Sequence, residues 1–104
     1  MLLSVPTYKD IIEVWQVDMA DFDSVKVFGR RVAIELDRVD IFVANAGIQA
    51  STWRTTKDGY EETLQVNAIT TGLLCLLVLP ALAKTAQPSE QKPHLSIIAS
   101  RGAA

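Results

Sequence analysis

A chain of 104 residues has room for one small domain, and 49% apolar against 21% charged residues makes it globular rather than disordered. Its ten basic and twelve acidic residues are spread along the sequence and leave a formal net charge of −2, with no basic cluster or basic–aromatic interleaving, which speaks against nucleic-acid binding. Cys75 is the only cysteine and His94 the only histidine, so one chain has neither a disulfide framework nor a cysteine-based metal site, and no metal is expected.

The first residues, Met1 to Pro6, lack a basic n-region and a secretory h-region, so a reducing, cytoplasmic setting is expected. Ile11-Ile12-Glu13-Val14-Trp15-Gln16-Val17-Asp18 is rich in β-branched and aromatic residues and reads as a strand over 11–17 that ends at an acid. Asp21 to Ser24 offers capping residues. Val25, Phe28, Val32 and Leu36 then recur at helical spacing, with Lys26, Arg30, Arg31 and Glu35 on the other face of an amphipathic helix. Ile41 to Ala44 is a short, continuously apolar strand of the kind buried on both faces of a parallel sheet.

A polar loop follows from Gly47 to Gly59. Tyr60 is expected to begin a long helix reaching Lys84, with Glu61 and Glu62 favourable in its first turn. Ala68 to Ala83 carries no charge, but its sixteen residues fall short of the roughly 20 that span a bilayer, and Pro80 is expected to interrupt it. A buried core or subunit-interface helix is the preferred reading, and no membrane association is expected. After a linker from Ala86 to Pro93, Leu95 to Ala99 reads as a third strand, left by Ser100-Arg101-Gly102. The order strand–helix–strand–helix–strand implies an α/β fold with parallel strands and right-handed crossovers.

In open parallel sheets ligands bind beyond the carboxyl ends of the strands, and Asp18, Asn45 and Ser100 all fall there. Each has a simpler reading on its own: a helix cap, a satisfied turn and a strand end, respectively. Their convergence on one sheet edge favours a shared site.

Val43-Ala44-Asn45-Ala46-Gly47, then Leu64-Gln65-Val66-Asn67, then Ile97-Ile98-Ala99-Ser100 is the order of motifs in the middle of a short-chain dehydrogenase/reductase. From Val14 to Arg101 the chain resembles the central third of that family, and is most like fungal members that act on small metabolites, a setting of secondary metabolism. The resemblance implies a partial Rossmann-like domain over 1–104, part of a doubly wound parallel sheet. It implies that Asp18 hydrogen-bonds the adenine amine of NAD or NADP, NADP being favoured, and that Asn45, Ala46 and Gly47 stabilise the sheet beside the adenine ribose. It further implies that Asn67 holds a water in the proton relay and that Ser100, rather than Ser96, donates to the substrate carbonyl oxygen. The reaction so implied is hydride transfer between a nicotinamide and a carbonyl or alcohol carbon of a small molecule.

The same comparison shows what is missing. Tyr8 is followed four residues later by Ile12 and Tyr60 by Leu64, so neither forms the family's Tyr-x-x-x-Lys pair, and no glycine-rich turn precedes Gly47. The chain is therefore expected to be a truncated member without turnover. In the doubly wound order 3-2-1-4-5-6, strand 11–17 loses its neighbour, and Phe42, Leu73, Leu76 and Leu77 become partly exposed. The alternative function is a non-catalytic remnant or interaction module. It would associate through helix 60–84, the helix through which family members dimerise, in a homo-oligomer or with a full-length relative.

Overall fold

The computed structural model describes residues 11–87 and 92–99. Helix α1 covers Phe22–Glu35, strand β1 Ile41–Ala44, a short helix α2 Glu62–Leu64, a π-helical segment Gln65–Ile69, helix α3 Thr70–Ala86 and strand β2 His94–Ile97.

The start of α1 is set by carboxylates. Asp21 is its N-cap and accepts from the amides of Asp23 (2.9 Å) and Ser24 (3.4 Å), while Asp58 takes the Phe22 amide at 2.9 Å. Lys57 pairs with Asp21 at 2.9 Å across this terminus. The apolar stripe of α1 then turns Val25, Gly29 and Val32 inward against α3. The two helices approach closely because Gly29 has no side chain, since a Cβ there would sit 3.0 Å from the Cβ of Leu77.

β1 and β2 form a parallel pair in which Ile41 faces His94 and Ala44 faces Ile97. The pairing is extended at its ends by His94 N–H to Asp40 O (2.8 Å) and Ile98 N–H to Ala44 O (2.9 Å). Phe42 and Leu95 pack on the cluster of Val25, Val32, Val39, Leu74, Val78 and Leu82, so α1 and α3 cover one face of the sheet. The expectation that strand 41–44 is buried on both faces fails here. Ile41 and Val43 are 70% and 52% exposed, because no helix among the described residues lies on their side.

The expected strand over 11–17 is also absent. The segment alternates as a strand would, with Trp15, Val17 and Met19 packed on the core and Val14 and Gln16 outside, but it belongs to no ladder. Alternation is a property of the segment, whereas a strand needs a partner, and β1 and β2 make up the only sheet among the described residues. Trp15 is held by side chains instead, edge-on to Phe28 at 6.0 Å and beneath the Arg31 guanidinium at 3.7 Å.

The long helix begins at Glu62, two residues later than expected. Glu61 is its N-cap, accepting from the amides of Thr63 and Leu64 at 2.9 Å each. Pro80 does not interrupt it. The carbonyl that proline leaves without a donor is that of Leu76, a residue 67% exposed on the outer side of the helix. Helix Glu62–Ala86 is thereby 25 residues long and apolar enough to cross a membrane by length and composition, so the shortness argued from 68–83 does not hold. Its Val66, Leu74, Val78 and Leu82 are buried within the fold.

Three carboxylates lie below their ordinary values. Lys57 hydrogen-bonds Asp21, Arg38 hydrogen-bonds Asp40, and the Thr63 and Leu64 amides hold Glu61. Each is easier to ionise in the fold than in the unfolded chain. The stability it contributes is complete above its unfolded pKa and is lost as the pH falls through its depressed folded value. The midpoint of thermal unfolding is therefore expected to fall between about pH 5 and pH 3, by a modest amount because none of the three is buried. A midpoint that holds steady over that interval would contradict the assignment of these caps and pairs.

Candidate functional site

Asn45, Ala46 and Gly47 leave the carboxyl end of β1, where the chain turns away from the sheet. The next residue, Ile48, is clamped by Asn67: the Asn67 side-chain oxygen accepts from Ile48 N–H and its amide nitrogen donates to Ile48 O, both at 2.8 Å. A Cβ on Gly47 would lie 3.3 Å from the same Asn67 oxygen, so the glycine permits the close approach. Both polar atoms of the Asn67 side chain are thus engaged with backbone. In the structure it fixes the loop after β1.

Asn67 occupies the middle of the π-helical segment Gln65–Ile69, where the ladder is wider than in an α-helix and the Thr70 N–H reaches back to Gln65 O. Side-chain hydroxyls supplement the altered ladder, with Thr71 donating to Val66 O at 3.1 Å. Gln65 is fully buried. It donates to Asp58 at 2.9 Å and accepts from the Thr56 hydroxyl, so its amide is satisfied in the interior.

Asp18 lies across from the β1 loop in a turn that is well organised without a strand behind it. Its N–H donates to Ser24 Oγ (2.9 Å), its carbonyl accepts from Asp21 N–H (3.1 Å) and its Oδ1 accepts from Ala20 N–H (2.9 Å). The other carboxylate oxygen takes no hydrogen bond among the described residues and is free to accept one.

Two clefts share the wall Ala46–Gly47–Ile48. One, of about 280 Å³, is closed by Asp18, Met19, Ala20, Glu62 and Val66. The other, of about 660 Å³, runs past Asn45, Asn67 and Thr71 to Ile97, Ile98 and Ala99. The structure therefore brings Asp18, Asn45, Ala46, Gly47 and Asn67 to one end of the sheet, while Ser100 lies outside the described residues. An apolar groove between Trp15 and Phe42, of about 400 Å³, contains none of these residues.

The smaller cleft presents an acceptor oxygen on Asp18 and, beside it, two residues with little or no side chain, Ala46 and Gly47. Neither cleft has a lysine or arginine among its described lining residues, so nothing there matches a pyrophosphate. Sequence reading missed Gln65, Asp58, Thr70 and Thr71. The hydroxyl of Thr70 donates to Met19 O at 2.7 Å and ties the Asp18 turn to the long helix. Threonines in a helix have an ordinary reading as bonds to their own backbone, so nothing in the pattern set Thr70 apart.

The family model for short chain dehydrogenases matches residues 4–90. Over 91 residues the chain is 46% identical to the short chain dehydrogenase/reductase dmxR8 of Cryptosporiopsis sp., covering 88% of this chain and 28% of that protein. It is 41% identical over 81 residues to a short chain dehydrogenase/reductase of Annulohypoxylon moriforme, covering 77% and 24%, and 40% identical over 89 residues to a short chain dehydrogenase of Alternaria solani, covering 86% and 31%. Among solved structures it is similar to Sniffer of Caenorhabditis elegans, assigned as a carbonyl reductase, with a TM-score of 0.61 at 20% identity over 81% of this chain and 40% of that one. The chain spans about a quarter to a third of the length of these curated relatives.

Proposed function

The chain belongs to the short-chain dehydrogenase family, and on that footing we propose that it forms the adenosine-binding and loop-clamping part of an NAD(P)-dependent oxidoreductase acting on a carbonyl or alcohol of a small metabolite. The observation that carries this reading is the convergence of Asp18, Ala46, Gly47 and Asn67 on two clefts with one common wall. When bound, the nicotinamide supplies or accepts the hydride. Asp18 accepts a hydrogen bond from the adenine amine through its free oxygen, and Ala46 and Gly47 leave room for the base and ribose. Asn67 holds that wall in place through Ile48. Ser100 is assigned the donor to the substrate oxygen, and NADP is favoured over NAD as the cofactor, both from the family resemblance.

The 104-residue chain itself is proposed to bind without turnover, because neither Tyr8 nor Tyr60 has a lysine four residues on to lower its pKa as a general acid. Calorimetric titration with AMP tests the binding half, with saturable affinity on the order of millimolar expected for so small a ligand. Asp18→Ala is expected to weaken it about tenfold, the loss of one charge-assisted hydrogen bond. No AMP binding would remove the reading, and NADPH consumption with any carbonyl substrate would remove the claim of inactivity.

A second reading, self-association, is favoured by one stripe on the long helix. Leu64, Ala68, Gly72, Leu76 and Ala83 recur along one exposed side with little bulk between the leucines. Sedimentation equilibrium showing a dimer that Leu76→Glu dissociates would support it, and a monomer at all concentrations would not.

A further inference from the structure

We infer that Asp58, through the buried amide of Gln65, and Thr70 are positioning residues that set the width of the adenosine cleft; this rests on the nucleotide reading given above. The turn carrying Asp18 and the first turn of α1 are one unit, joined by Asp21 N–H to Asp18 O at 3.1 Å and Asp18 N–H to Ser24 Oγ at 2.9 Å. That unit has no strand to hold it, since residues 11–18 pair with nothing among the described residues. It is fastened to the long helix at two points instead. Asp58 Oδ2 accepts from Phe22 N–H and from Gln65 Nε2, each at 2.9 Å, and Thr70 Oγ1 donates to Met19 O at 2.7 Å.

Both fastenings are protected from water at the helix side, because Gln65 and Thr70 are fully buried. The opposite wall of the cleft, Ala46 to Ile48, is fixed to the same helix by Asn67. The gap between Asp18 and Gly47 is therefore the difference between two attachments to one rod. Asp58 and Thr70 govern one side, and Asn67 governs the other. None of these three needs to touch the nucleotide to decide whether Asp18 reaches it.

The test uses the full 104-residue chain and AMP as the probe. Asp58→Ala is expected to lose about tenfold in AMP affinity, and the Phe22 amide, hydrogen-bonded to Asp58 in the wild type, is expected to exchange faster than in the wild type. Asp58→Asn keeps an acceptor oxygen for the Phe22 amide and is expected to restore both readouts to near the wild-type level. Thr70→Val, which keeps the shape and removes the donor, is expected to weaken AMP binding without changing exchange at Phe22. Leu82→Ala, buried at the far end of α3, serves as a destabilised control whose AMP affinity is expected to stay unchanged well below its melting point. Asp58→Ala binding AMP like the wild type overturns the inference and leaves the nucleotide reading standing. A loss in Leu82→Ala equal to that in Asp58→Ala overturns it too, by reducing the effect to general stability. A wild-type chain that ignores AMP removes the nucleotide reading and the inference together.

Discussion

Replacing Gly29 by valine is expected to lower stability by about 1–3 kcal/mol, and in a domain this small that is enough to unfold much of the population. The added Cβ would meet Leu77 Cβ at 3.0 Å and Cδ1 at 3.1 Å. A side-chain tip can rotate away, but a Cβ is fixed to its backbone, so α1 and α3 must separate. Separation unpacks Val25, Val32 and Val78, the centre of the core. Gly72 supplies the contrast, because a Cβ there meets nothing within 4 Å. Gly72→Ala is expected to gain about 0.5–1 kcal/mol from reduced backbone freedom, raising the melting temperature by a few degrees. Thermal melts of the two variants decide the matter. A Gly29→Val chain melting with or above the wild type would mean that the helices do not cross at this glycine.

Asn67→Ala is expected to free the loop that forms the wall between the two clefts. It removes both hydrogen bonds to Ile48, worth about 1–2 kcal/mol together because the site is open to water. Exchange of the Ile48 amide is expected to quicken about tenfold, and AMP binding to weaken, while the core amides of α3 keep their protection. Asn67→Asp should fare no better. Its carboxylate still accepts from Ile48 N–H but has no proton for Ile48 O and sets two acceptors against each other. Unchanged exchange at Ile48 in both variants would show that the clamp carries no weight in solution.

Much of this was legible in the sequence. The apolar spacing from Val25 to Leu36 defined α1, the uniform apolar run Ile41–Ala44 defined β1, and the crossover between β1 and β2 followed from the alternation of elements. Membership of the short-chain dehydrogenase family was legible too, from three short motifs in their order. The failures share a cause. Alternation at 11–17 describes which side chains face inward, but hydrogen bonding to a neighbouring strand depends on residues elsewhere. Exposure of Ile41 and Val43 likewise depends on what lies on their far side. Pro80 was read by its local rule, and the helix runs on through it, with the released carbonyl belonging to Leu76, an exposed residue. At the site, Asp18, Asn45, Ala46 and Gly47 were found at the expected sheet edge. The side chains that hold it, Gln65, Asp58 and Thr70, were not foreseen, because a buried amide bridging two loops has no periodic signature.

The π-helical segment also bears on how this region accommodates changes in length. A π turn holds one residue more than the α-helical ladder would, and one residue corresponds to a rotation of about 100° around the helix. Losing a residue between Gln65 and Ile69 would relax the wide turn to α-helix, so that the helix on either side keeps its face and Leu74, Val78 and Leu82 stay where they pack, while the side chains inside the turn are re-aimed. Asn67 would then point away from Ile48 although every functional side chain was still present. In this stretch spacing carries as much information as residue identity, and an alignment that slides a gap through it would pair residues that face in different directions.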